Sequence, residues 1–220
     1  MEWLTVALPK GRMQDQVLDL FRAVGYPVDR EGASGRKLVF EDATGRLRFV
    51  LAKPADVPIY VEYGAADLGV VGEDVLRESD RDLHEPLMLG LGRCHLALAG
   101  PPEMRQRSLR LEATLRVASR YPNLSRDYFQ RRGIAAEIIP LSGSVELAPA
   151  LGLADLVVDL VATGRTLREN GLVELEGIME SQAILVVNRV SHKLRLRSID
   201  KLIAKLAAEI TRRQAEEKGE

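Results

Sequence analysis

The sequence predicts an α/β protein made of two similar lobes, each a mixed sheet flanked by helices. Three observations predict it. Short apolar runs alternate with segments of helical period along the 220 residues. Gly and Pro punctuate the changes from one to the other. A stretch from Asp56 to Val70 recurs, weakly, as Ser144 to Val158.

The elements follow in order. Leu4, Val6 and Leu8 make a strand that stops at Pro9-Lys10-Gly11. Met13, Val17, Leu20, Phe21 and Val24 recur at helical spacing until Gly25 and Pro27. Residues 36–52 read as a hairpin, with a turn at Asp42-Ala43-Thr44-Gly45. Pro54 to Tyr63 is a short helix ended by Gly64, Leu68 to Val71 a buried strand, and Gly72 opens a helix. Two strands flank Gly90-Leu91-Gly92 within 83–99. Leu115 to Ala118 is a strand, Leu124 to Arg132 a helix with Asn123 as its cap, and Ala136 to Ile139 a strand. Residues 144–151 form a short helix, 155–159 a strand and 163–170 the start of a helix. Strands near 173–180 and 182–189 come next. A last helix starts at Ser198 with Ile199, Leu202, Ile203, Leu206 and Ile210 on one face. The polar tail Glu216 to Glu220 is expected to fray.

The repeat has an offset of 88 residues and six identities in fifteen positions: Val57/Val145, Gly64/Gly152, Ala66/Ala154, Asp67/Asp155, Leu68/Leu156 and Val70/Val158. Each copy starts at a residue suited to cap a helix, Asp56 or Ser144. Leu4 to Ala7 likewise resembles Leu115 to Ala118. The expected lobes are 1–94 with 179–220, and 95–178, with a cleft between them. Ligands in such sheets bind beyond the carboxyl ends of strands.

Composition narrows the function. Lys+Arg 31 against Asp+Glu 32 leaves a net charge of −1, which excludes a global basic field for nucleic acid. Cys94 is the single cysteine, so neither an intrachain disulfide nor a thiolate zinc cluster can form. Met1-Glu2-Trp3-Leu4 does not open a secretory signal, and no apolar run is long enough to span a membrane. The expected location is the cytoplasm. His84, His95 and His192 show no metal-ligand spacing.

The repeat separates architecture from chemistry. Asp67 and Asp155 occupy the same place in both copies and read as architectural. Asp159 has no twin, because Val71 stands in its place. After it comes Thr163-Gly164-Arg165-Thr166, a turn with two hydroxyls, a glycine and a cation ahead of a helix. Each part suits a phosphate, and each also suits a capped helix with a solvated arginine. Lys10-Gly11-Arg12 puts two cations at a helix start, where they oppose the helix dipole. A bound anion or screening water would explain them. Ser119-Arg120-Tyr121 holds the matching place in the second copy.

These segments carry a resemblance. Ala7 to Arg12, Gly64 to Leu76 and Gly152 to Leu172 resemble the short form of the ATP phosphoribosyltransferase catalytic subunit, the first enzyme of histidine biosynthesis. The resemblance implies two lobes like those of type II periplasmic binding proteins. It implies attack of N1 of ATP on C1 of phosphoribosyl pyrophosphate, giving N1-(5-phosphoribosyl)-ATP and pyrophosphate. Asp159, Glu146, Lys10 and Arg12 are then the catalytic set, with Glu146 and Asp159 on ribose hydroxyls. Val161, Ala162, Thr163, Gly164, Arg165 and Thr166 would wrap the 5-phosphate, and Gly11, Arg120 and Tyr121 would face ATP or pyrophosphate. Mg²⁺ would be carried mainly by substrate, with no dedicated protein metal site. The resemblance assigns no role to Lys53. It also implies a histidyl-tRNA-synthetase-like regulatory subunit and a catalytic dimer within a hetero-oligomer, by family a hetero-octamer, with no nucleic acid or membrane partner. The long form carries a further regulatory domain, for which the residues after 198 leave only a helix. Two other readings stay open: a two-lobed solute-binding or effector-sensing module that uses the same lobes without chemistry, and a different phosphoribosyltransferase that shares the Thr163-Gly164-Arg165-Thr166 loop but uses another base.

Overall fold

The computed structural model describes residues 3–11, 13–28, 37–111 and 114–219. The chain divides into two compact units, Met1–Gly92 with Gln182–Glu220, and Arg93–Ser181. The boundaries expected from sequence, 94/95 and 178/179, fall inside the strands Cys94–Gly100 and Val173–Ser181. No helix among the described residues is long and apolar enough to cross a membrane.

Unit 1 contains strands β1 (Leu4–Pro9), β2 (Val39–Glu41), β3 (Leu47–Ala52), β4 (Leu68–Gly72), β5 (His84–Met88) and β11 (Ala183–Val187). They lie in the order β2-β3-β1-β4-β11-β5. Helices α1 (Gln14–Ala23) and α7 (Leu196–Gly219) pack on one face; α2 (Val57–Glu62) and α3 (Glu73–Ser79) pack on the other. The period of two divides the side chains. Val6, Leu8, Val70, Leu185 and Val187 meet Phe21, Leu202 and Leu206; Ala7, Val71, Ile184 and Val186 meet Val57, Val61 and Leu76. Gly69 lets α2 approach: a Cβ there would lie 2.7 Å from Val61 and 2.8 Å from Val57.

Unit 2 contains β6 (Cys94–Gly100), β7 (Leu115–Ser119), β8 (Ala136–Pro140), β9 (Leu156–Val161) and β10 (Val173–Ser181), in the order β10-β6-β9-β7-β8. Helix α4 (Pro122–Arg131) covers one face through Tyr128 and Phe129. The short α5 (Arg165–Glu169) and a 3-10 turn, Val145–Leu147, cover the other.

The repeat is present in the backbone. β1 runs parallel to β4 with Val6 beside Leu68, and β7 runs parallel to β9 with Val117 beside Leu156. The two aspartates act alike. Asp67 Oδ2 accepts the Thr5 N–H at 2.8 Å, and Asp155 Oδ2 accepts the Arg116 N–H at 2.8 Å. Their own N–H groups donate back to Thr5 and Arg116 carbonyls, both at 2.8 Å. Gly64 and Gly152 are both left-handed, at φ +72° and +68°, as the C-terminal turn before each strand requires.

Several sequence expectations are corrected. Residues 144–151 hold only the turn Val145–Leu147, because Pro149 stands where α2 has Val61 and cannot continue a helix. Asp56 and Ser144 do not cap with their side chains; Asp56 ends a 3-10 turn, Pro54–Asp56, and is itself helical. Helix α4 starts at Pro122, whose fixed φ suits a first turn, so Asn123 lies inside it and accepts from Arg126 at 2.8 Å. Helix α6 (Arg189–Leu194) was not expected. It is capped by Asn188, whose Oδ1 accepts from Val190 and Ser191. Its Nδ2 donates to the Val61 and Glu62 carbonyls at the end of α2. Helix α7 starts at Leu196, two residues before Ser198, and runs through Gly219. Glu209 accepts from Arg212 at 2.8 Å and Arg213 at 2.7 Å; these two guanidiniums lower its carboxyl pKa to about 2.

The hairpin turn gives a first prediction. Asp42 is 4% exposed and accepts the N–H groups of Thr44 (2.8 Å), Arg46 (2.9 Å) and Leu47 (2.6 Å), with the Thr44 hydroxyl. Burial works to raise its pKa, but these donors outweigh it and hold the carboxyl below its ordinary value. Asp42→Ala should cost about 1–3 kcal/mol at neutral pH, read from the urea midpoint. The depressed folded pKa makes this contribution complete above the unfolded value of about 3.9. It is lost as pH falls through the folded value, so the difference between the two proteins should close in acid.

Candidate active site

The carboxyl ends of β7 and β9 gather the chemistry of unit 2. These strands run parallel, with Ser119 beside Val158; the loop Arg120-Tyr121 leaves at the end of β7, while β9 stays paired with β6 through Asp159 to Val161 and leaves the sheet at the same end, after Val161. Period two places Asp159 on the face that bears Val157 and Val161. Those two valines pack with Val145, Ala148 and Leu167. The turn carrying Glu146 and the loop running from Val161 to Thr166 are therefore anchored in one apolar cluster. Asp159 and Glu146 are half-buried, and Val161 is 6% exposed. The arrangement presents two carboxylates and a polar loop on one face of the sheet.

Beyond Val161 the loop turns outward. Ala162 and Thr163 are exposed. Gly164 sits at φ +67°, in the left-handed region, at the cap of α5. Arg168 Nη1 donates to the Thr163 carbonyl at 3.1 Å and stiffens the loop from behind. At the other end of α5, Asn170 Nδ2 donates to the Thr166 carbonyl at 2.9 Å, and the Leu172 N–H donates to Leu167 at 2.9 Å. Leu167 is the buried anchor.

The other candidate residues are placed as follows. Arg165 is turned along the helix surface, with Nε on Glu169 at 2.8 Å, and its side chain is 79% exposed. The cation in contact with the loop backbone is Arg168, which sequence reasoning passed over; its signal was a second arginine three residues after Arg165. Arg120 is exposed, whereas Tyr121 is 6% exposed and packs in the cluster on the α4 side. Lys10 and Gly11 belong to unit 1. Lys10 is exposed and its N–H donates to Ala52 at 2.8 Å; Gly11 has φ +108° with open space where a Cβ would stand. Arg12 lies outside the described residues. His95 Nε2 contacts Glu174 at 3.0 Å and His192 Nε2 contacts Asp200 at 2.8 Å. His84 stacks on His192 at 5.2 Å. Among the described residues, no three His, Cys, Asp or Glu side chains converge as a metal site.

A family model described as ATP phosphoribosyltransferase (HisG) matches residues 53–208. An ATP phosphoribosyltransferase of Geobacillus sp. (strain WCH70) is 48% identical over 204 residues, which cover 93% of this chain and 97% of the relative. That of Geobacillus kaustophilus is 50% identical over 207 residues, covering 94% and 98%. Among solved structures, the ATP phosphoribosyl transferase (HisG:HisZ) complex from Thermotoga maritima is 35% identical at a TM-score of 0.82, covering 95% of this chain and 99% of that one. The periplasmic aliphatic sulphonate binding protein SsuA from Escherichia coli has a TM-score of 0.60 at 12% identity, covering 99% and 76%, and shows the fold alone.

The paired aspartates yield a test. Asp155→Asn should chiefly lower the melting temperature, because its carboxylate bonds a neighbouring strand. Asp159→Asn should leave melting nearly unchanged and reduce turnover by roughly two orders of magnitude. Thermal melting and steady-state rates on both variants check this, and a reversed pattern would refute the division of roles.

Proposed function

The chain belongs to the ATP phosphoribosyltransferase family, and we propose that the carboxyl edge of β7 and β9 is its phosphoribosyl site. The enzyme transfers the phosphoribosyl group of phosphoribosyl pyrophosphate to N1 of ATP, the first step of histidine biosynthesis. The observation that carries the site reading is a polar break in the repeat, Asp159 in place of Val71, followed by the loop to Thr166 within the span of the family match.

In this reading the Thr163 and Thr166 hydroxyls and the N–H groups around Gly164 take the 5-phosphate, where the missing Cβ leaves room for a close approach. Arg165 would have to leave Glu169 to join them, while Arg168 already braces the loop. Asp159 and Glu146 hold the ribose hydroxyls and orient C1. The positive charge that develops on the ring as pyrophosphate departs falls near these two carboxylates. N1 of adenine carries a lone pair at neutral pH, so the attack needs no general base, and positioning is the main contribution of the protein. Lys10, Arg12 and Arg120 receive the negative charge of ATP and of the leaving pyrophosphate.

Mg²⁺ is assigned to the phosphate oxygens of the substrates, with water completing its shell. When bound, it supplies neutralisation of pyrophosphate charge. The enzyme is placed in the cytoplasm, where both substrates are made. A regulatory subunit of the HisZ kind, resembling histidyl-tRNA synthetase, is its expected partner, supported by the match to a chain of the Thermotoga maritima HisG:HisZ complex. Catalytic dimers within that hetero-oligomer complete the assembly.

Incubation with ATP, phosphoribosyl pyrophosphate and Mg²⁺ should give N1-(5-phosphoribosyl)-ATP by mass spectrometry; another phosphoribosylated base as sole product would refute the assignment. Gly164→Ala introduces a Cβ at φ +67°, 3.1 Å from Arg168 Nη1. It should weaken phosphoribosyl pyrophosphate binding by at least about tenfold, the scale of a lost charge-assisted hydrogen bond. Calorimetry reads this directly, and unchanged affinity in a folded variant would remove the loop from the site. A third test concerns the partner. The chain alone should turn over slowly and ignore histidine, and the HisZ-type subunit should add both activity and histidine inhibition, since feedback needs a ligand that favours one state of the assembly. Full activity with histidine inhibition in this chain alone would refute it.

A further inference from the structure

We propose that Ser119 and Ser125 are positioning residues for phosphoribosyl transfer, a buried hydroxyl pair that ties the Arg120-Tyr121 loop to the strand segment immediately before Asp159. The proposal rests on the reading of Asp159 and Arg120 given above.

Unit 1 serves as an internal control. The correspondence that pairs Leu4 with Leu115, and Val6 with Val117, pairs Leu8 with Ser119. Leu8 and Ser119 are both 0% exposed. An apolar side chain therefore satisfies the architecture at this place. A hydroxyl buried there costs free energy unless it is bonded. Unit 2 nevertheless has the hydroxyl, and it is fully engaged. Ser119 Oγ donates to the Val158 carbonyl at 2.9 Å and accepts the Tyr121 N–H at 2.8 Å. Ser125, also 0% exposed, lies 2.9 Å from Ser119 Oγ and 2.7 Å from the Tyr121 carbonyl, either of which can accept its one proton.

The consequence is geometric. Residues 119 and 121 are both held by this network, and Arg120 is the exposed residue between them. On the other side the network grips the carbonyl of Val158, the residue before Asp159. Two departures from the repeat, Leu8 to Ser119 and Val71 to Asp159, thus stand on neighbouring strands, on opposite faces of the sheet, and are joined through the backbone at Val158. The hydroxyl fixes where the cation of the loop stands relative to the carboxylate of the neighbouring strand. An apolar residue would fill the space and leave that relation to the ladder alone.

The test compares Ser119→Ala and Ser125→Ala with Asp159→Asn and with the double variant Ser119→Ala/Asp159→Asn, all assayed with the regulatory subunit and checked by thermal melting. Each serine variant should lose about tenfold in kcat, the scale of one positioning hydrogen bond, with the KM for phosphoribosyl pyrophosphate unchanged. In the double variant, Ser119→Ala should lower kcat by less than about twofold beyond Asp159→Asn, because the two act through one geometry. A purely structural role would lower the melting temperature and leave the kinetics of folded enzyme alone. If Ser119→Ala melts below the assay temperature, Ser125→Ala decides, since it leaves the Ser119 bonds to Tyr121 and Val158 in place. Ordinary kcat in a folded serine variant, or full additivity in the double variant, overturns the proposal. Should Asp159→Asn be impaired while the serine variants are not, positioning falls and the site reading stands. Ordinary turnover in Asp159→Asn would overturn both.

Discussion

A carboxylate at the head of a strand sets the frame on which everything else in each unit depends. Asp67 and Asp155 each exchange backbone and side-chain hydrogen bonds with the second residue of the neighbouring strand, at matching distances of 2.8 Å. A parallel pair has no hairpin to fix its register, and a slip of one residue would move every side chain to the opposite face. The aspartate pins the register at its first pair. Unit 1 adds Arg195, whose Nη1 meets the Asp67 carboxylate at 2.8 Å and the Trp3 carbonyl at 2.8 Å. Unit 2 uses Arg116 more loosely, at 3.6 Å from Asp155. With the register set, the far ends of the strands are set too, and the candidate site residues lie there.

Two units built on one plan show which residues the plan does not need. Gly69 in β4 admits a true helix against the sheet, whereas Val157 in β9 faces only a turn. Pro149 ends that turn, and the shorter element carries Glu146 in place of Pro58. Asp159 replaces Val71 and Ser119 replaces Leu8. Unit 1 keeps an apolar interior at the places where unit 2 has polar groups. Unit 2 has accepted the desolvation of a carboxylate and two hydroxyls, and in the serines each hydroxyl is bonded.

Much of this was legible in the sequence, and the reasons for the rest are physical. Strand and helix periods, the hairpin at Asp42 and the pairing of Asp67 with Asp155 follow from local pattern and self-comparison. Asp159 stood out because it broke the repeat. Ser119 did not, since a serine at the end of a strand reads as the edge of a loop; its burial depends on Ser125 and Val158, 6 and 39 residues away. Helix α6 was missed for the same reason. The Asn188 side chain joins α6 to the end of α2 across 127 residues, and no window of sequence contains both. Arg165 was favoured over Arg168 because it adjoins the glycine, but the helix turns it toward Glu169 instead.

Unit 2 is one uninterrupted stretch, Arg93–Ser181, whereas unit 1 is interrupted by it. During synthesis β4 waits for its partner β11 until the whole of unit 2 has been made, and the face that receives α7 stays uncovered for as long. The free edge of β4 and the apolar row of Val6, Leu8 and Val70 are exposed to other chains throughout that interval. Unit 2 has no such delay, since β6 and β10 both belong to it. The half that carries Asp159 and the loop to Thr166 therefore matures first on the ribosome. The half that begins the chain finishes last, and it carries the greater risk of misassembly at high expression.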